Sequence, residues 1–281
     1  MYERGHSIGF GETLSRMKRN VLGCMAIGLL GLVVTSAIPA YSDGQPGPLP
    51  YHTIQMADPT FEKQLARMLG ESPVEQDYLP VCQTESTLLF VDDSAAGGTN
   101  DGSSWENAYT DLQTGLTYIQ QHSVPDEQGE TPSWEAWVAE GTYRPTQDGD
   151  REKSFPFGHC TKAYGGFTGN EAERHQRDPR AHETILTGEI GDPAQTEDNA
   201  DIIISVAPFT TPETIIDGFT VRDAYSDRFL HGAVFMTLAG PVLQNNVFTH
   251  NTSLDGGVIN LNGALPFIAN SQFKDNTVQA V

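Results

Sequence analysis

The chain has 281 residues, with 37 acidic against 16 basic side chains for a net charge of −21, and it is rich in Gly (28) and Pro (17). That length suits one large β domain with appendages. The excess of negative charge excludes nucleic acid and anionic lipid as partners, because both are gripped through clustered Lys and Arg.

At the N-terminus, Arg16, Lys18 and Arg19 precede an apolar run over 21–38, and Ala40-Tyr41-Ser42 follows with the small-x-small pattern that signal peptidases accept. Residues 1–42 therefore read as an N-terminal extension and signal peptide, with Met17 as the plausible true start. The product is expected to be secreted, extracellular or on the outer cell surface. An uncleaved anchor is the alternative, since the run approaches the roughly 17–25 residues of a bilayer span; once the signal is cleaved, the mature chain has no membrane span. Val21-Leu22-Gly23-Cys24 matches a lipoprotein box only superficially, because the apolar run follows the Cys. Without residues 1–42, 12 basic and 35 acidic residues remain, a net charge of −23 (12 − 35).

Residues 43–86 open with DGQPGPLP and read as a flexible linker, with a short helix possible over 61–69. Cys82 and Cys160 are the two cysteines beyond the signal. They either pair in an oxidising compartment or stay as separate thiols, and their spacing leaves both open.

Residues 87–133 form the next segment. TLLFV is a strand, and the loop DDSAAGGTNDGSS behind it gathers Asp92, Asp93, Asn100 and Asp101 among glycines. Oxygen donors of this kind suit Ca²⁺, so Asp92, Asp93 and Asp101 are the candidate metal ligands; the competing role is turn formation. The acidic stretch EDNAD at 197–201 has the same two readings. Ser103-Ser104-Trp105-Glu106 has the spacing of a capping box, and Trp105, Ala108, Tyr109, Leu112, Leu116 and Ile119 follow at helical intervals. The expectation is a helix over 103–120 covering one end of whatever the rest of the chain builds.

Residues 134–281 repeat. Pro241 falls on Pro266, Asn245 on Asn270, Phe248 on Phe273 and Asn251 on Asn276, all 25 residues apart, and TIIDGFTV at 214–221 falls on PVLQNNVF at 241–248 with an offset of 27. Short β-prone runs repeating at this length imply one turn of a parallel β-solenoid per repeat. Equivalent side chains then stack about 4.8 Å apart, Phe248 over Phe273 as an apolar stack, Asn251 over Asn276 and Asn245 over Asn270 as amide ladders.

Several side chains in this region invite a functional reading. Trp134, Trp137, Tyr143 and Tyr164 offer sugar-stacking faces if they point outward, although the alternation of WEAWVAEGTY assigns at least half of them to the core. Arg174, His175, Arg177, Arg180 and His182 either meet acidic glycans or lipid headgroups or balance neighbouring carboxylates on a solvated loop. Arg222, Asp223, Asp227 and His231, with Arg228, are the nearest approach to an acid–base cluster.

Phe248-Thr249-His250-Asn251, Phe273-Lys274-Asp275-Asn276 and Gly256-Gly257-Val258-Ile259 resemble the FxxN and GGA[ILV] repeats of the polymorphic outer membrane protein family. The segments FVDDSAAGGTNDGSSWENAYTDLQTGL, WVAEGTYRPT, AYGGFTGNE, RDPRAHETILTGEI and TIIDGFTV are similar to the N-terminal half of bacterial right-handed parallel β-helix surface proteins with a pectate-lyase-like fold. Val258 stands where Ala is usual, and His231 replaces the first Gly of the preceding turn. The resemblance, over roughly 87–281, implies an all-β right-handed parallel β-helix, for which the 103–120 helix is the expected N-terminal cap; because Val281 follows Asn276 with no further turn, the β-helix is expected to be truncated at the C-terminus. It implies a surface adhesion or glycan-binding module whose partner is a polysaccharide or a host or cell-surface ligand. The alternatives are a lyase or glycoside hydrolase acting on acidic polysaccharide, and a structural passenger fragment of a larger surface protein.

Overall fold

The computed structural model describes residues 81–254 and 257–279. The expected signal peptide, its anchor alternative and nearly all of the expected linker lie outside them. Among the described residues the protein is all-β with a single α-helix, and no helix is long and apolar enough to cross a membrane.

Every strand pairing is parallel. The first sheet runs β1 (Val81–Val91), β2 (Glu130–Ala139), β5 (Thr161–Phe167), β8 (Ile215–Asp217), β11 (Val242–Gln244), β15 (Phe267–Ala269). The second runs β3 (Gly141–Tyr143), β6 (Thr184–Thr187), β9 (Phe219–Arg222), β12 (Val247–Thr249), β16 (Gln272–Lys274). The third runs β4 (Phe155–Phe157), β7 (Ile204–Val206), β10 (Val234–Thr237), β14 (Ile259–Asn262), and β13 (Thr252–Ser253) pairs with β17 (Thr277–Val278). From β11 onward the chain visits first sheet, second sheet, short pair and third sheet, then repeats that order 25 residues later: Leu243 pairs with Ile268, Phe248 with Phe273, Thr252 with Thr277, and Val234 with Ile259. The preceding pairing, Ile216 with Leu243, keeps the 27-residue offset.

Registered columns of apolar side chains make the core. Leu89, Ala136, Ala163, Ile216 and Leu243 succeed one another across the first sheet, all buried. Tyr143, Leu186, Val221 and Phe248 do the same across the second, and Phe157, Val206 and Met236 across the third. Parallel sheets in which alternate residues face one shared interior bury one face of each strand and leave the other for loops or solvent.

The helix, α1, spans Leu112–His122 and buries Leu112, Leu116 and Ile119 in this core. It starts later than the expected 103–120. Its N-cap is Asp111, whose carboxylate accepts from the Gln113 and Thr114 N–H groups, and residues 103–110 are bends and a turn, with Tyr109 bridged to Val91. The reason is tertiary: Tyr109 exchanges backbone hydrogen bonds with β1, donating to the Phe90 carbonyl and accepting from the Asp92 N–H, which no helical residue can do. Trp105 instead joins Phe90, Trp137 and Phe167 in a separate outer cluster, its indole N–H bonded to the Glu171 carbonyl at 2.9 Å. Gly115 allows α1 to lie close, since a Cβ there would meet Leu89 Cδ2 at 3.2 Å.

Two further differences concern chain boundaries and cysteines. β1 begins at Val81, so six residues assigned to the linker are strand. They are held there by a Cys82–Cys160 disulfide and a Ser86–Ser133 hydroxyl bond of 2.8 Å, both joining β1 to neighbouring chain segments.

Candidate functional site: the outer face of the first sheet

Residues of the first sheet alternate between the core and an outer face. Phe90, Trp137, Tyr164, Asp217 and Gln244 form one outward column in register, and Glu135, Lys162 and Ile215 belong to the next. The loop between β5 and β6 folds over part of this face. Near β1 it meets the aromatic cluster through the Glu171 carbonyl, which accepts from the Trp105 indole, and there Trp137 and Phe167 stack at 4.8 Å between ring centroids. Further along the sheet it contributes Arg174 and Arg177 to a shallow concavity of about 690 Å³ that also involves Glu135, Tyr164, Asp217 and Gln244.

The polar groups there form one connected network. Arg174 Nη1 donates to Glu135 Oε2 at 3.1 Å and to the Tyr164 hydroxyl at 3.0 Å, and its guanidinium lies over the Tyr164 ring at 4.5 Å. Arg177 lies over the same ring at 5.1 Å, bonds the Gly165 and Asp217 carbonyls and meets Asp217 Oδ2 at 2.7 Å. Asp217, itself buried, also accepts from Gln244 Nε2 and Asn245 Nδ2, both at 2.8 Å. Trp137 donates its indole N–H to Glu135 Oε1 at 2.7 Å. Burial pushes the Tyr164 phenol up to about 12 against the opposing pull of Arg174. Side chains locked this way present donors and acceptors at fixed positions.

The sequence candidates distribute differently. Trp134, Trp137, Tyr143 and Tyr164 are all buried, so none of them offers a free stacking face. Trp134 and Tyr143 belong to the interior, while Trp137 packs with Phe90, Trp105 and Phe167 and Tyr164 lies beneath Arg174 and Arg177 of the β5–β6 loop. In the basic cluster, Arg174 pairs with Glu135 and Arg177 with Asp217, the charge-balancing role, while His175 lies beside Glu173 and His182 beside Glu140.

Asp92, Asp93 and Asp101 do not gather into the expected calcium loop: among the described residues no three His, Cys, Asp or Glu side chains group as metal ligands would. Asp92 accepts from the Ser94 N–H and hydroxyl, and Asp93 accepts from the Thr142 N–H. At Asp101, hydrogen bonds from Ser103 and then Thr99 hold the carboxyl below its ordinary range. Asp92 and Asp101 each close the turn in which they sit, whereas Asp93 reaches across to β3.

The acid–base candidates also part. Arg222 Nε and Asp223 Oδ2 pair at 2.6 Å beside Thr187, whereas Asp227 faces Arg151 at 3.7 Å. His231 turns instead to Asp201, a residue that sequence reasoning had only grouped with the EDNAD stretch, and lies 2.7 Å from it.

The ladder residues are in register, but one pair works differently from expectation. Phe248 and Phe273 stack at 4.8 Å with an interplanar angle of 14°. Asn251 Nδ2 donates to Asn276 Oδ1 at 3.0 Å. Asn245 and Asn270 both have left-handed backbone (φ 56° and 50°) at bends, and the interior amide is the neighbouring Asn246, which donates to the Ile216 carbonyl and accepts from the Phe219 N–H. Asn tolerates the left-handed region better than other side chains, so the repeated Asn at that position answers to backbone geometry.

Comparison with family models, with curated proteins and with solved structures finds no match to this chain.

Proposed function

We propose that the protein is an exported, surface-displayed binding module built as a right-handed parallel β-solenoid with α1 as its cap, and that the outer face of the first sheet takes a neutral polysaccharide. Rotation of consecutive strands through three parallel sheets, at a constant 25-residue offset in the last two circuits, supports the solenoid. The burial of Leu112, Leu116 and Ile119 against the same core as β1 supports the capping role. The Cys82–Cys160 disulfide suits an oxidising compartment and hence export.

One observation carries the ligand reading: the Glu135, Arg174, Tyr164, Arg177, Asp217 and Gln244 network lies in a single shallow concavity. Carboxylates that accept and guanidinium and amide groups that donate match the paired donor and acceptor character of sugar hydroxyls. Charge decides between neutral and acidic glycans. Two arginines face three carboxylates, Glu135, Glu173 and Asp217, in a chain of net charge −21, so a polyuronate is repelled. The test is affinity electrophoresis through gels containing xylan, β-glucan, galactomannan or polygalacturonate. Retardation by at least one neutral polymer, lost in the double variant Arg174→Ala/Gln244→Ala, is expected. Retardation by polygalacturonate alone, or by none of the four, overturns the reading.

A further inference from the structure

The loop at 226–231 connects the second sheet to the third and is pinned by an unusual density of charge. Arg228 bonds Glu152 at 2.9 Å and lies 3.6 Å from Asp201, and Arg151 faces Asp227. Leu230, immediately before His231, has left-handed backbone (φ 62°), a conformation that persists in a branched aliphatic residue only where its surroundings enforce it. The result of that geometry is the placement of His231. Its Nδ1 meets Asp201 Oδ2 at 2.7 Å, its ring packs against Phe235 at 5.6 Å, and Nε2 has no hydrogen-bond partner among the described residues.

Asp201 is 3% exposed and its second oxygen, Oδ1, is buried without a partner. A buried carboxylate can only accept, so Nδ1 of His231 carries the proton and Nε2 presents its lone pair outward. This is the arrangement in which a carboxylate fixes the tautomer and orientation of an imidazole that moves a proton. Beside it stand the Arg228 guanidinium, half-exposed, and on the same loop the exposed side chains Phe229 and Leu230.

We propose that His231 and Asp201 form a proton-transfer site, independent of the polysaccharide-binding face, that hydrolyses small uncharged carboxylic esters with His231 as the catalytic residue and Asp201 as its positioning residue. Ser226, the loop's hydroxyl, is fully buried, so the nucleophile is water. Water adds to the acyl carbon as its proton passes to His231 Nε2, and Arg228 faces the carbonyl oxygen as it becomes an anion. The acyl–alkoxy bond then breaks and the leaving oxygen takes the proton back, giving acid and alcohol with nothing oxidised or reduced. The local charge favours an uncharged substrate, since Arg151 and Arg228 are already matched by Glu152, Asp201 and Asp227.

The experiment follows p-nitrophenyl acetate hydrolysis from pH 5 to 9 by the purified protein and by His231→Gln, Asp201→Asn and His182→Gln, each with a thermal melt. General acid–base catalysis is worth roughly 10²–10⁴ in rate. His231→Gln is expected to lose about a hundredfold, and Asp201→Asn to lose rate and displace the midpoint of the pH profile, which a merely structural role would not move. His182→Gln is expected to match the wild type. If His231→Gln does not fold, carbethoxylation of the native protein mapped by mass spectrometry replaces it: His231 modification tracking loss of rate supports the proposal. Rates equal in wild type and His231→Gln, or lost equally in His182→Gln, or unaffected by His231 carbethoxylation, overturn it.

Discussion

Asn276 Oδ1 accepts both the backbone N–H and the side-chain amide of Asn251, each at 3.0 Å. One circuit earlier, Asn251 Oδ1 accepts the Ala224 N–H, and its own amide donates to the Val221 carbonyl. The amides thus close a bend that would otherwise bury unpaired backbone groups, and Asn251 itself is 2% exposed.

Asn251→Ala therefore leaves a buried N–H and a buried carbonyl unsatisfied, and is expected to cost about 2–4 kcal/mol. Asn270→Gly, at an exposed left-handed bend, is expected to change stability by less than about 0.5 kcal/mol, since Gly adopts that backbone freely. Urea melts of the two variants check the contrast; equal midpoints would contradict the roles assigned to the two asparagines.

The disulfide joins positions 78 residues apart and ties β1 to the start of β5. Closing a loop of that length restricts the unfolded chain by about 4.5 kcal/mol in the chain-entropy account. Reduction, or Cys82→Ser with Cys160→Ser, should lower the melting temperature markedly, and hydrogen exchange should rise first along β1. Unchanged protection of β1 amides after reduction would show that the clip does not hold this edge.

Arg177 and Asp217 form a largely buried ion pair, with side chains 13% and 3% exposed. Arg177→Ala removes the cation and strands the carboxylate, and is expected to destabilise by about 3–5 kcal/mol. The double replacement Arg177→Met with Asp217→Leu leaves no buried charge behind and should cost less than the single change. A double variant less stable than Arg177→Ala would refute this ordering.

Burial raises the folded-state Tyr164 phenol to about 12, while an unfolded tyrosine ionises near 10. A raised acid is held in its neutral form, so its contribution to stability is complete below pH 10 and disappears as pH rises through 12. Absorbance titration at 295 nm should show Tyr164→Phe missing one late-ionising phenol. Alkaline unfolding should begin at higher pH in that variant; the same onset in both proteins would count against this origin.

The last circuits were the most legible part of the chain because their loops are short. Where β11 to β16 repeat without insertion, identical side chains recur at a fixed offset, and stacking follows from that alone. Between β3 and β9 the chain inserts loops of different lengths, so that Gly141 pairs with Thr184 and Thr184 with Phe219, and no constant offset survives in sequence. The aromatic positions were harder to assign. Alternation separates two faces of a strand, yet it cannot reveal that the outer face near Trp137 and Tyr164 lies under a loop. The helix boundary failed for a similar reason, because Trp105 and Tyr109 fit a helical stripe while their backbone and indole partners come from β1 and the distant Glu171.

By itself the sequence determined the net charge and the parallel stacking of Phe248 on Phe273 and Asn251 on Asn276. These are properties of composition and of spacing between equivalent residues. Only the tertiary structure decided that Asp201 meets His231, that Cys82 reaches Cys160, and that Arg174 and Arg177 cover Tyr164. Each of those contacts joins segments from 10 to 78 residues apart, whose meeting depends on the path taken by intervening loops. Hydrophobic periodicity constrains which face a residue occupies, and leaves open which loop will lie across it.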